Sequence, residues 1–227
     1  MSRALQALDS KSPSRRHLLG IGALTALGAS FTLPGCGRKA KRSMAIAPDS
    51  VVLALGDSLT AGVGATLDTS YPAALQSLTR WNVVNGGVSG DTSTQARARL
   101  PALLQTHSPA LVIVSIGGND FIRRESPDTT RQQVRETCTT ALQSGAQVLL
   151  VAVPELSLMA AAGRLSDHPL YADVADALKI PLHSKGWSAI LADESLRADP
   201  VHANAQGYAL FAQGLMATLK NAGLLAT

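Results

Sequence analysis

The chain has 227 residues, a formal net charge of +4, 46% hydrophobic residues and only 4% aromatic ones. Residues 1–42 hold eight Lys/Arg against Asp9 alone, so residues 43–227 carry twelve positive and fifteen negative side chains. A mildly acidic domain poor in aromatics lacks the basic surface and stacking platforms of a nucleic-acid binder, and two cysteines exclude a disulfide framework. The length suits one domain behind a leader.

Residues 1–17 are polar and basic, ending in Ser14-Arg15-Arg16-His17, and an uncharged apolar stretch occupies 18–33. These are the n-region and h-region of an export signal, short for a membrane span. Ser14-Arg15-Arg16-His17-Leu18-Leu19 resembles the twin-arginine export motif; ordinary n-region charge is the other reading. Leu33-Pro34-Gly35-Cys36 resembles a lipoprotein signal, in which Cys36 becomes the lipidated N-terminus and associates the protein with a membrane. Ala45-Ile46-Ala47 offers ordinary cleavage instead, and an uncleaved anchor is the third outcome. Each outcome places the protein in the periplasm or cell envelope. The expected division is a signal at 1–35, a charged linker at 36–49 and a folded domain at 50–227.

Within that domain, apolar runs at 51–55, 82–85, 111–116 and 148–153, with a weaker one at 180–183, have strand length. Helical patterns separate them at 71–80, 92–106 and 127–143, and a last one spans 205–222. The third is announced by Ser126 as N-cap, Pro127 in the first turn and Gly145 beyond the end. Leu100, Leu103 and Leu104 form one apolar stripe; Leu210, Phe211, Leu215 and Leu219 form another. Cys138 reads as a plain buried residue. Strands alternating with helices imply a mostly parallel sheet covered on both faces, a three-layer α/β/α domain.

The polar clusters fall at strand ends. They are Gly56-Asp57-Ser58-Leu59 after the first strand, Asn85 through Thr92 after the second, and Gly117-Gly118-Asn119-Asp120 after the third. Asp199-Pro200-Val201-His202 precedes the last helix. A parallel sheet brings the first three to one edge, where ligands bind in open α/β folds. A serine in a Gly-rich turn is by itself only a capping residue. A base, a residue orienting that base and oxyanion donors would turn it into a nucleophile.

By these four blocks, in this order, the chain resembles the SGNH, or GDSL-type, hydrolase family from about residue 51 to 223. The stretch Ser89-Gly90-Asp91-Thr92-Ser93, with Ala98 through Leu104, is similar to a bacterial periplasmic branch of acyl-thioesterases, lysophospholipases and arylesterases. The resemblance implies a flavodoxin-like α/β/α sandwich on a five-stranded sheet, with no metal or organic cofactor. It implies Ser58 as nucleophile, His202 as general base and Asp199 as the residue orienting it. The oxyanion donors would be the N–H groups of Ser58 and Gly90 and the side-chain amide of Asn119. The expected activity is hydrolysis of carboxylic esters or thioesters of small molecules or lipids, by a monomer. A carbohydrate O-deacetylase and a non-catalytic envelope lipoprotein binding lipid or glycan are the alternatives. Gly-x-Ser-x-Gly is absent, unlike an ordinary α/β-hydrolase. Pro200 and Ala203 depart from the family's usual residues around the histidine, and Pro200 pushes Asp199 toward extended backbone.

Asp57 and Asp120 read as capping or supporting residues, and His107, His168 and His183 as surface or loop residues. Trp81 and Trp187 read as core or rim. Arg123 and Arg124 are either a solvated loop or the site mouth. Leu156, Leu158, Met159, Ala160, Ala161, Ala162 and Leu165 would either cradle an acyl chain or pack ordinarily.

Overall fold

The computed structural model describes residues 44–155 and 165–226. The signal, Cys36 and the apolar residues Leu156, Leu158, Met159, Ala160, Ala161 and Ala162 lie outside these. Five strands, β1 (Val51–Gly56), β2 (Asn82–Gly87), β3 (Leu111–Ser115), β4 (Gln147–Val151) and β5 (Leu182–His183), make one parallel sheet in the order β2-β1-β3-β4-β5. The chain reverses its direction of travel across the sheet between β1 and β3, and such a switch point opens a crevice at the strands' carboxyl ends. Burial explains why β1, β3 and β4 are continuous apolar runs: nearly every residue is inaccessible on both faces. β2, an edge strand, keeps Asn82 and Asn85 exposed.

The long helices are α2 (Tyr71–Thr79), α3 (Ser93–His107), α5 (Pro127–Gln143) and α8 (Ala205–Asn221), with α6 (Leu170–Leu178) and α7 (Gly186–Ala192) between β4 and α8. Helices α3, α5 and α6 pack together, as do α2, α7 and α8, giving the three layers. Two short helices, α1 (Ser58–Ala61) and α4 (Gly118–Ile122), start directly beyond β1 and β3. A small antiparallel hairpin, β6 (Arg197–Asp199) and β7 (His202–Ala203), precedes α8.

Aromatics are few, and among the described residues Tyr71, Trp187, Tyr208 and Phe211 form one cluster. Trp187 stacks on Phe211 at 3.6 Å between centroids, and Tyr71 meets both edge-on. Buried aromatics with polar tips need partners, and these tips hold the loops at the sheet edge. Trp187 Nε1 donates to Ser115 Oγ, Tyr171 Oη to Ile116 O and Tyr208 Oη to Val63 O. Cys138 is buried and unpaired.

Several expectations differ from the structure. Leu210 is 41% exposed; the buried stripe of α8 runs Tyr208, Phe211, Leu215, Leu219, the spacing that keeps one face inward. His183 is no surface residue but is 6% exposed on β5, bonded to Thr218 and edge-on to Phe211. Burial lowers its pKa to about 4, against a smaller opposing pull from the Asp167 charge. Residues 170–178, for which the sequence pattern predicted no element, form α6, which buries Leu170, Tyr171 and Val174. Residues 44–49, read as linker, are partly built into the domain. Gln147 grips the backbone of Met44 in both directions, Ile46 N–H donates to Leu224 O at 2.8 Å, and the Ile46 side chain lies in the core.

Candidate active site

Gly56 pairs in register with Gly87 on one side and Ser115 on the other, so three strands finish level. Beyond Gly56 the chain turns at once into α1. Asp57 is its N-cap, its Oδ1 accepting from Leu59 N–H at 3.0 Å. Ser58 is the first helical residue, and its hydroxyl is half-buried at the sheet edge. A first-turn N–H has no intrahelical acceptor, and no acceptor among the described residues takes that of Ser58.

The partner hydroxyl contact comes from 144 positions away: His202 Nε2 lies 2.9 Å from Ser58 Oγ. His202 Nδ1 lies 2.7 Å from Asp199 Oδ2. The other carboxylate oxygen, Oδ1, accepts from Val201 N–H and His202 N–H at 2.8 and 2.9 Å. Asp199 thus closes an Asx turn over Pro200, a local motif that a rigid proline permits. The same carboxylate fixes both the turn and the imidazole on it. Partial desolvation raises the Asp199 pKa, but the hydrogen bonds from the His202 ring and from Val201 outweigh it and hold it below the usual carboxylate range. An ionised Asp199 only accepts, so Nδ1 carries the ring proton and the Nε2 lone pair faces the serine hydroxyl. The departures at Pro200 and Ala203 leave this geometry intact.

Gly90 sits beyond β2 with φ +85°, a left-handed conformation that glycine adopts without penalty, and its N–H is free of acceptors among the described residues. Asn119 Nδ2 donates to Asp91 O at 2.9 Å, which sets the amide beside Gly90 and leaves its second N–H unassigned. Ser58, Asp199 and His202 are therefore joined in one hydrogen-bonded chain, and Asn119 is joined to the Gly90 loop. Cys36 lies outside the described residues.

Asp57 and Asp120 are supporting residues, as expected. Asp120 accepts from the N–H and hydroxyl of Ser93, the first residue of α3, and from Thr130 at 3.4 Å. Asp120 thereby takes the free first-turn N–H of α3, whose N-cap is Thr92, and no imidazole is among its hydrogen-bond partners in the described residues. Asp57, 3% exposed, has its pKa pushed up to about 7, first by burial and then by the nearby Asp120 charge. Trp81 and Trp187 are both core. Arg123 belongs to the site mouth: its Nη2 donates to Gly90 O at 2.8 Å, while its side chain stays exposed. Sequence reading missed Arg99, which bonds both Asp91 and Gly56 O. The only sign of it was an arginine on the inward side of a helix whose neighbouring inward positions, Ala96, Leu100 and Leu103, are apolar. His168, half-buried, stacks on Phe121 just past Asn119.

An arrangement of this kind can deprotonate a serine hydroxyl toward an acyl carbonyl. Comparison with known proteins agrees. Residues 54–210 match the GDSL-like lipase/acylhydrolase family. Thioesterase 1/protease 1/lysophospholipase L1 of Escherichia coli K12 is 37% identical over 145 residues, which is 61% of this chain and 67% of that protein. The arylesterase of Vibrio mimicus is 36% identical over 45% of this chain and 54% of its own length. The crystal structure of TesA superposes with a TM-score of 0.67 at 30% identity, covering 76% of this chain and 99% of that one. With the family match spanning most of the chain, the protein belongs to the GDSL-like lipase/acylhydrolase family and is a carboxylic ester hydrolase.

Proposed function

We propose that this protein is an exported serine esterase that cleaves carboxylic esters and thioesters through an acyl-enzyme on Ser58. The observation that carries the reading is the continuous chain Ser58–His202–Asp199 at 2.9 and 2.7 Å. Ser58 Oγ attacks the acyl carbonyl as its proton passes to His202 Nε2. Negative charge then collects on the carbonyl oxygen, where the N–H groups of Ser58 and Gly90 and the Asn119 amide donate to it. Collapse of the tetrahedral species breaks the bond to the leaving group, which takes the proton from Nε2. Water, deprotonated by the same nitrogen, attacks the acyl-enzyme and releases the acid. Asp199 stays ionised throughout and stabilises the imidazolium.

The substrates are aryl esters, acyl thioesters or lysophospholipids, in keeping with the names of the relatives. Turnover of p-nitrophenyl acetate and butyrate by the protein and by Ser58→Ala tests the reaction. Loss of at least about a thousandfold is expected on removing the nucleophile; equal rates refute it. An acyl-chain-length series set beside acetylated sugars identifies the acyl group, and preference for the sugars would make the protein an O-deacetylase.

The protein acts as a monomer in the periplasm or cell envelope, carried there by the signal at 1–35 and held through a lipidated Cys36. Cleavage after Ala47 fits less well, because it would discard Ile46, whose side chain is buried and whose N–H is bonded to Leu224. Intact mass of the membrane fraction decides: a diacylated Cys36 N-terminus is expected, and a free N-terminus at Pro48 rejects it.

A further inference from the structure

The site has a mechanical problem that its residue types do not solve. Gly90, whose N–H must be aimed at a developing charge, is the least restrained kind of residue, and a side chain added there would meet almost nothing. A donor contributes most when it is already in place before charge develops. The restraint therefore has to come from neighbours, and three side chains converge on this loop. Arg123 Nη2 holds Gly90 O at 2.8 Å, Asn119 Nδ2 holds Asp91 O at 2.9 Å, and Arg99 Nε holds Asp91 Oδ2 at 2.7 Å.

Arg99 differs from the other two because its second contact leaves the loop. Its Nη2 donates to Gly56 O at 2.8 Å, the carbonyl two residues before Ser58. The same carbonyl accepts from Val88 N–H at 3.1 Å, so nucleophile strand and oxyanion loop meet at one oxygen. The Arg99 and Asp91 side chains are only 24% and 11% exposed, which strengthens a charge-assisted bond. On the same helix Arg97 pairs with Glu136 at 45% and 37% exposure, a solvent-facing pair of little consequence.

We propose that Arg99 is a positioning residue. Its planar fork, anchored on Asp91 and on Gly56 O, sets the distance between the Ser58 nucleophile and the Gly90 donor. This rests on the esterase reading above. Lysine cannot replace it, since one ammonium on a flexible stem lacks the rigid pair of donors that spans both acceptors.

The experiment compares wild type, Arg99→Lys, Asp91→Asn and the solvent-facing control Arg97→Lys on p-nitrophenyl butyrate. It also measures inhibition by butylboronic acid, a tetrahedral mimic, and the thermal midpoint of each. Arg99→Lys is expected to lower kcat by roughly 10- to 100-fold with KM within about twofold, less than the full loss of a donor. Boronate affinity should fall by a similar factor, while Arg97→Lys matches wild type. Asn119 and Arg99 both hold Asp91, so Arg99→Lys should cost less in an Asn119→Ala background than alone. A folded Arg99→Lys with kcat within threefold of wild type overturns the proposal. So does a loss carried by KM with unchanged boronate affinity, or full additivity with Asn119→Ala. If Arg99→Lys fails to fold, Asp91→Asn gives the same readings through the other end of the pair. An inactive wild type defeats the esterase reading itself, whereas an active wild type with an equally active Arg99→Lys defeats only this proposal.

Discussion

Asp199 makes three hydrogen bonds with two oxygens, and a pair of substitutions can separate what each oxygen does. Oδ1 accepts from two backbone N–H groups and shapes the turn; Oδ2 accepts from the imidazole. The substitution Asp199→Asn keeps a carbonyl oxygen for the turn but presents an amide to Nδ1. The ring must then protonate at Nε2, leaving no lone pair for the Ser58 hydroxyl. By analogy with the same exchange in serine proteases, kcat should fall about 10⁴-fold with stability nearly unchanged. Asp199→Ala removes the turn as well. Two lost backbone bonds at about 1 kcal/mol each, discounted for exposure of the carboxylate, make it about 1 kcal/mol less stable than the asparagine variant. Ester turnover and urea unfolding, run on both variants, check the split. An asparagine variant keeping a tenth of wild-type kcat refutes the tautomer argument, and equal unfolding midpoints refute the turn argument.

Three further outcomes are expected. Asn119→Ala should lower kcat about 10²- to 10³-fold with little change in KM, as measured by steady-state ester hydrolysis; a change confined to KM would make Asn119 a substrate-binding group instead. Asp57→Asn bears on pH. Because the folded pKa of Asp57 is raised to about 7, the native state binds more protons than the unfolded one from about pH 4 to about pH 7. That contribution to stability is full below the unfolded pKa and is lost as pH rises through the folded one. Denaturation midpoints of wild type relative to Asp57→Asn should therefore decline across that window, and a flat difference contradicts the burial argument. Ile46→Ala should cost about 2 kcal/mol in thermal or urea unfolding, the low end for a buried aliphatic truncation near a chain end; no change would mean that residues 44–47 are not part of the folded unit.

Much of the fold was legible because a sheet covered on both sides leaves a plain trace. The continuous apolar runs at β1, β3 and β4 can be buried only by helices on both faces, and these are the strands found. Ends were less legible. β5 shortens to Leu182–His183 directly after Pro181, which has no N–H for the ladder. The helices α6 and α7 carry too few turns for their period to stand out. Leu210 and Phe211 are adjacent and both apolar, so pattern alone could not say which faces the core; packing against Trp187 chose Phe211.

For the site, the division follows the distance along the chain over which each contact is made. Asp199 and His202 are three apart, so their mutual geometry is local, and their spacing alone implied that a carboxylate would orient an imidazole on one turn. Likewise the apolar runs implied that Gly56-Asp57-Ser58, Gly90 and Gly118-Asn119 would stand beyond strand ends. That His202 reaches Ser58, that Arg99 spans from Asp91 to Gly56 O, and that His183 lies inside rather than on the surface all follow from how the elements pack. Those contacts depend on the strand order β2-β1-β3-β4-β5 and on where the hairpin β6–β7 docks. Periodicity and spacing record which face of an element is buried; they carry no record of which elements become neighbours.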